Sequence, residues 1–188
     1  MRAILAIMLL ALGGWWSLPW LKTHLPPQWN PFTPLQVTDP PGWLTRYKLQ
    51  RLSAQPQACL AVMRQAREQG RVQFRELPPL RGDCAIDQPL RITGFGAVSL
   101  SSSFLASCPM AVASTLYVTR SDAVLQQAGI ASPLRRIAHV GSYACRNIYH
   151  RQTGRRSEHA TADAWDVTGF QLANGRWLEV GKNWQQPA

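Results

Sequence analysis

Acidic residues are scarce in this chain. Ten Asp and Glu stand against twenty Lys and Arg in 188 residues, which gives a formal net charge of +10 and a pI near 10.3. Such an excess favours anionic partners: nucleic acid, phospholipid headgroups or an acidic cell-wall polymer. Zinc-finger spacing, an aromatic RNA-binding signature and a basic helix with heptads are all missing, which removes the usual routes to nucleic acid. Histidine is rarer still, with four residues. The four cysteines form no CxxC or CxxxC pair, so structural zinc held by cysteines is disfavoured. Internal repeats are absent, and one proline-rich stretch is the only biased tract.

One long run lacks charge, and it stands at the front. "MRAILAIMLLALGGWWSLPWL" carries Arg2 and then nothing charged until Lys22. Its ~19 uncharged residues, at about 1.5 Å each, span roughly 28 Å against a bilayer core of about 30 Å. Trp15, Trp16 and Trp20 suit a membrane interface. The same bulky Trp15–Trp16 pair occupies the place where a small-x-small cleavage site would stand. The run therefore predicts an uncleaved transmembrane helix over residues 1–22. A cleaved signal peptide and a buried soluble helix are the competing readings. Localisation follows as a single-pass inner-membrane protein with its domain in the periplasm. Cysteine usage agrees with export, because Cys59, Cys84, Cys108 and Cys145 are an even set suited to two disulfides. Of three connectivities, Cys59–Cys84 with Cys108–Cys145 is preferred, since each bridge would join a helix to a nearby following element.

Residues 24–43, "HLPPQWNPFTPLQVTDPPGW", hold six prolines in twenty positions and read as an extended, semi-rigid spacer. Trp29 and Trp43 suggest that part of it packs against the domain or the membrane surface. The organisation is thus 1–22 anchor or signal, 23–43 linker, 44–188 domain. "TRYKLQRL", with Thr45 as N-cap, and "QACLAVMRQAREQ", stopped by Gly70, read as helices. "VQFRELPPL" and "PLRITGFG" read as short strands around a Gly82–Asp83 turn. "SCPMAVASTLYVT" and "SDAVLQQAG" read as two helices, the second with Ser121 as N-cap and Gly129 as its stop. "LRRIAHVGSYAC" reads as a strand over 134–145, and "AWDVTGFQLANGRWLEV" as a hairpin turning at Asn174–Gly175. The fold class is α+β: helices first, then a mostly antiparallel sheet.

Within "RRSEHATADAWDV", residues 155–167, a histidine and a carboxylate stand seven apart. A neutral imidazole and a carboxylate are both zinc ligands, and a catalytic site adds a third protein ligand and an open water position. Taken alone, the spacing reads more readily as a hydrogen-bonded surface loop than as a metal site. His139, in an apolar strand, reads as a satisfied core residue. His150 lies among Arg146, Arg151, Arg155 and Arg156, whose charge disfavours metal. Glu179 reads as a solvated hairpin carboxylate.

Ser157, His159, Ala164 and Asp166 fit the S-x-H-x-x-G-x-A-x-D pattern of the zinc D,D-carboxypeptidases and the hedgehog/D,D-peptidase fold. More closely, the chain resembles the bacterial extensin-like C-terminal domain family. The resemblance runs from "NPFTPL" through "YKLQRL", the Cys59 helix, "GDCAI", "CPMA", "GSYACR" and "SEHATADAWDVTGF" to Trp184. It implies that His159 and Asp166 occupy the first two zinc-ligand positions, and that Ser157 orients their loop. Arg146 would stabilise an anionic tetrahedral intermediate; a solvated or carboxylate-paired arginine is the alternative. Tyr143 reads as packing. Ala162 replaces the pattern's glycine, which matters if the position needs positive φ. Relatives continue past Trp184 with a helix, a cysteine and a histidine-rich motif bearing the third ligand, so the domain is expected to be incomplete at its C-terminus. The resemblance therefore implies a cell-envelope protein, zinc-dependent and peptidase-like, acting on peptidoglycan peptides. The alternative is a non-catalytic cell-wall binding or structural module. Its partners are the inner membrane and peptidoglycan or another anionic envelope polymer, not nucleic acid. His159 and Asp166 are expected to converge within ~5 Å of a common point, without a third ligand, so that zinc is held weakly.

Overall fold

A computed structural model describes residues 2–182; Trp184 lies outside them. The fold is α+β, with four α-helices and one six-stranded sheet among the described residues. The helices are α1 (Arg2–His24), α2 (Trp43–Ser53), α3 (Pro56–Glu68) and α4 (Cys108–Gln127). The strands are β1 (Gln73–Glu76), β2 (Leu90–Phe95), β3 (Val98–Ala106), β4 (Leu134–His139), β5 (Val167–Leu172) and β6 (Trp177–Glu179), and they lie in chain order across the sheet. Every pairing is antiparallel except β3 with β4, which run parallel because α4 carries the chain back between them.

Helix α3 forms where Cys59, Leu60, Val62, Met63 and Ala66 recur on one face, and all five are buried. Pro56 opens it. Gly70, at φ 68°, closes it: its N–H donates to Arg67 O and the next N–H to Ala66 O at 2.8 Å. The other helix expectations need correction. Thr45 is not the N-cap of α2; Gly42 is, and Thr45 Oγ accepts the Gly42 N–H from three residues inside. The two helices expected across Ser121 are one. No Gly or Pro interrupts Val118–Asp122, Ser121 donates to Val118 O within the helix, and Asp122 Oδ1 accepts from Leu134 N to start β4. The true N-cap of α4 is Ser107, whose hydroxyl accepts from Met110 N.

Helices α3 and α4 cover one face of the sheet, where Met63, Val112, Ile92, Phe104 and Ile137 build the main core. Alternation along β3 sends Phe104 and Ala106 into that core and Leu105 to the other face, where it meets Ile86 and Ala162. Among the described residues no α-helix packs on that face; irregular segments around Ile86 and Ala162 cover part of it. The hairpin expected at Asn174–Gly175 is present as β5–β6, with Gly175 at φ 86° completing the turn. The strand expected over 134–145 ends at His139, because Val140 and Gly141 bond to Asp166 instead of continuing the ladder.

The proline-rich stretch is built into the domain. Leu35 and Val37 are buried, Lys48 Nζ donates to Pro27 O at 2.6 Å and to Thr33 Oγ, and Arg120 donates to Thr38 O. Burial lowers the Lys48 pKa below 10.5, and Asp39 partly opposes that. Trp29 and Trp43, expected to do the packing, are exposed. The transmembrane helix expected in front of the domain is not found: among the described residues no helix is long and apolar enough to cross a membrane. Gly13, Gly14, Ser17 and Pro19 dilute the apolar run of α1. The helix nonetheless stands clear of the core, with Trp15 and Trp16 exposed at 74% and 80%.

Two disulfides form, but not in the preferred pairing. Cys59 bonds to Cys108 and Cys84 to Cys145. The reason is packing at long range: α3 lies beside α4, so the buried face of one meets the first turn of the other. The loop after β1 likewise meets the loop after β4. Digestion without reduction should yield 59–108 and 84–145 linked peptides, and a 59–84 peptide would refute the assignment. The bridges close loops of 49 and 61 residues, so removing either should cost up to about 4 kcal/mol in urea unfolding by the chain-entropy relation.

Candidate functional site

The segment 155–166 is not a free loop. It lies against residues 140–148 through backbone hydrogen bonds from Val140 N to Asp166 O, Asp166 N to Gly141 O, Ala144 N to His159 O, Ser157 N to Arg146 O and Ile148 N to Arg155 O, all between 3.0 and 3.1 Å. Ser157 caps a 3-10 turn over Glu158–Thr161, its Oγ accepting from His159 N at 3.3 Å. That turn aims the imidazole. Its Nδ1 lies 3.1 Å from Ser142 O, which a protonated Nδ1 satisfies, and this contact turns Nε2 toward Asp166. Nε2 stands 3.4 Å from Asp166 Oδ2.

Asp166 gets its direction from its neighbour. Trp165 packs into the core, stacked on Phe104 at 4.5 Å and edge-on to His139 at 5.6 Å. In extended chain the next side chain must point the other way, and Asp166 emerges on the face away from the helices. The imidazole is 15% exposed and the carboxylate 56%. The two converge as expected, and the pair is open to a ligand.

The other nominated residues fall into place around it. Tyr143 donates its hydroxyl to Cys84 O at 3.1 Å, which ties it to the loop bridged by Cys84–Cys145. Arg146 offers its carbonyl to Ser157 N, and its half-buried guanidinium makes no hydrogen bond or ion pair among the described residues. His139 is buried, as its apolar setting suggested, but only half satisfied: its Nε2 lies 2.8 Å from Ser102 O, while its buried Nδ1 has no hydrogen-bond partner among the described residues. His150 is exposed in its arginine-rich loop, His24 bonds back to Trp20 O, and Glu179 pairs with Lys182 at 2.9 Å. Among the described residues, no group of three or more His, Cys, Asp or Glu stands close enough to hold a metal. An imidazole and a carboxylate are two of the ligands that a four-coordinate zinc site would need. The described residues do not complete such a site.

The family match is now informative. A model of the extensin-like protein C-terminus matches residues 57–188, which is well over half the chain and includes all four cysteines, Arg146 and the Ser157–Asp166 motif. The chain belongs to this extensin-like family. No curated protein and no solved structure matches it. The matched region begins at α3, so α1, the proline-rich stretch and α2 precede it.

Sequence reading missed one part of the site. Between Ile92↔Phe104 and Gly94↔Ser99, β3 spends five steps against two on β2. The surplus forms a wide bulge over Leu100–Ser103. It borders a cavity of about 310 Å³ with Arg91, Ser142 and Tyr143 in its wall. Three consecutive serines inside an apolar strand were the available signal; they hid the strand because they break its alternation.

Ala162 closes the 3-10 turn in the left-handed region at φ 56° and is fully buried against Ile86 and Leu105. The position does need positive φ. Replacement by glycine would release about 1 kcal/mol of backbone strain and forfeit a buried methyl worth about 0.8 kcal/mol. Ala162→Gly should therefore shift urea stability by less than about 0.5 kcal/mol, while Ala162→Val, both strained and overpacked, should lose more than about 2 kcal/mol. A gain above about 1 kcal/mol in the glycine variant would show that the methyl packs poorly.

Proposed function

We propose that this chain is a cell-envelope member of the extensin-like family, with a D,D-peptidase/hedgehog-like form of the α+β fold. Its His159–Asp166 face engages the peptide part of peptidoglycan. In this form it binds without cleaving. The observation that carries the reading is the two-ligand site: an oriented imidazole and an open carboxylate 3.4 Å apart, with no third ligand among the described residues. Two protein ligands hold zinc poorly, and without a held metal there is nothing to activate water in the manner of a metallopeptidase.

The zinc-dependent peptidase remains the second reading, and one feature favours it. His159 Nδ1 bonds to the Ser142 carbonyl, the arrangement that presents Nε2 to a metal. A third ligand from outside the described residues would complete that site, and Arg146 would then face the developing oxyanion.

Two features support the envelope setting. Both disulfides call for an oxidising compartment. The exposed apolar side chains of α1, among them Ile7, Leu12, Trp15, Trp16 and Trp20, form a surface that water disfavours. We place α1 at the inner membrane and the domain in the periplasm.

The deciding experiment pairs zinc analysis with binding. The purified full chain should carry well under one zinc per molecule, should leave a D-Ala-D-Ala-ended peptide intact, and should sediment with purified peptidoglycan sacculi. His159→Ala and Asp166→Ala should weaken that sedimentation. Tight stoichiometric zinc with turnover, both lost in His159→Ala, would establish the peptidase instead. Failure to sediment, with no turnover, would defeat both readings. Deleting residues 1–22 should move the protein from the sedimented membrane fraction to the supernatant at physiological salt, and a protein already in the supernatant with α1 intact would refute the attachment.

A further inference from the structure

The face of the sheet away from the helices carries an arginine that no acidic residue answers among the described residues. On β2, Leu90 and Ile92 enter the main core, so Arg91 between them points to the opposite face. Its cross-strand neighbours there are Leu105 on β3 and Arg75 on β1. Like charges placed directly opposite repel, and neither guanidinium has a carboxylate partner among the described residues. The acid nearest in register, Glu76, faces the helices and is held by a two-pronged bond from Arg64 on α3 at 2.7 and 2.9 Å. A half-buried cation beside a second cation is an arrangement that an anion would relieve.

The surroundings are concave and polar. Arg91 lines the cavity of about 310 Å³ together with Ser102, Ser103, Ser142 and Tyr143. Three of the hydroxyls are engaged: Ser142 donates to Leu105 O, Tyr143 donates to Cys84 O, and Ser102 Oγ lies 3.5 Å from His139 Nε2. The β3 bulge also presents Ser103, whose hydroxyl makes no hydrogen bond among the described residues. Arg91 and the Ser103 hydroxyl are therefore free donors in one pocket.

That pocket shares its wall with the candidate site. Ser142, which lines it, holds His159 through its carbonyl, while Val140 and Gly141, which also line it, hold Asp166 through the backbone. We propose that Arg91 and the Ser102–Ser103 bulge form an anion subsite for a carboxylate of the peptide lying across His159 and Asp166. The guanidinium fork matches a carboxylate in two parallel hydrogen bonds, and the serine hydroxyl donates a third. The assignment rests on the peptide-binding reading above and deepens it.

The test uses the full chain in detergent with labelled arginine side chains, observed by NMR. The probes are N-acetyl-D-alanyl-D-alanine, its C-terminal amide, sodium acetate and inorganic phosphate. The acid should shift the Arg91 Nε–H resonance and bind at least about tenfold more tightly than the amide, the range expected of hydrogen bonds to a charged group. Arg91→Gln should abolish that preference, Arg91→Lys should keep part of it, and Ser103→Ala, an exposed change that leaves folding alone, should reduce it. Equal binding of acid and amide by the native protein, or an unchanged preference in Arg91→Gln with native thermal stability, overturns the subsite. Phosphate displacing the acid at lower concentration overturns the carboxylate assignment. An Arg91 shift with acetate but no binding of either dipeptide form supports the subsite and defeats the peptide reading. Dipeptide binding without an Arg91 shift does the reverse.

Discussion

Five backbone hydrogen bonds clamp residues 140–148 to residues 155–166, and the candidate site depends on that clamp. Neither segment contains an α-helix or a sheet strand to fix its side chains, only 3-10 turns. Paired, they satisfy each other's backbone groups and set three directions together: His159 toward Asp166, Ser142 O toward the imidazole, and Arg146 beside the turn. The Cys84–Cys145 bridge fastens one half of the clamp to the loop after β1. The other half is fastened through Ala162, whose carbonyl accepts from Ser107 N, while the Ser107 hydroxyl donates to Asp163. Ser107 also caps α4, and the adjacent Cys108 is bonded to α3. The site is thus tied to the core at both ends by covalent and capping contacts rather than by its own packing.

Much of this was legible in the residues, and the failures share a cause. Local signals did well. Gly70 and Gly129 stop helices, Asn174–Gly175 turns a hairpin, and the small residues between Ser157 and Asp166 let the two ends converge. Readings that needed long-range geometry did less well. The cysteine pairing was judged by nearness in sequence, whereas α3 and α4 meet across 49 residues. Ser121 looked like a helix start because serine caps helices, but tertiary packing carries α4 through it. The strand β3 went unread because its serine bulge breaks the period-2 pattern, and that bulge lies beside the site. Local irregularity at a functional face is expected, since side chains there are aimed at a ligand rather than at the core.

The charge excess gains meaning from where it sits. A net +10 acts at long range, but counter-ions screen it beyond roughly 10 Å at 0.1 M salt. Exposed arginines such as those at 151, 155 and 156 can therefore draw an anionic polymer to the surface without choosing a register on it. Arg91 differs in kind. It is half-buried, opposed to Arg75 and set in a concave wall that continues to His159. A charge in such a place is less screened and geometrically constrained, so it can discriminate where the surface charge only attracts. On the proposed reading the division of labour follows from burial: the outer arginines would set how often an anionic chain arrives, and the inner one how it lies once there. A protein built only to adhere would need the first group alone. On the proposed reading, the unanswered arginine, in a wall shared with the residues that hold the imidazole, would make this face selective.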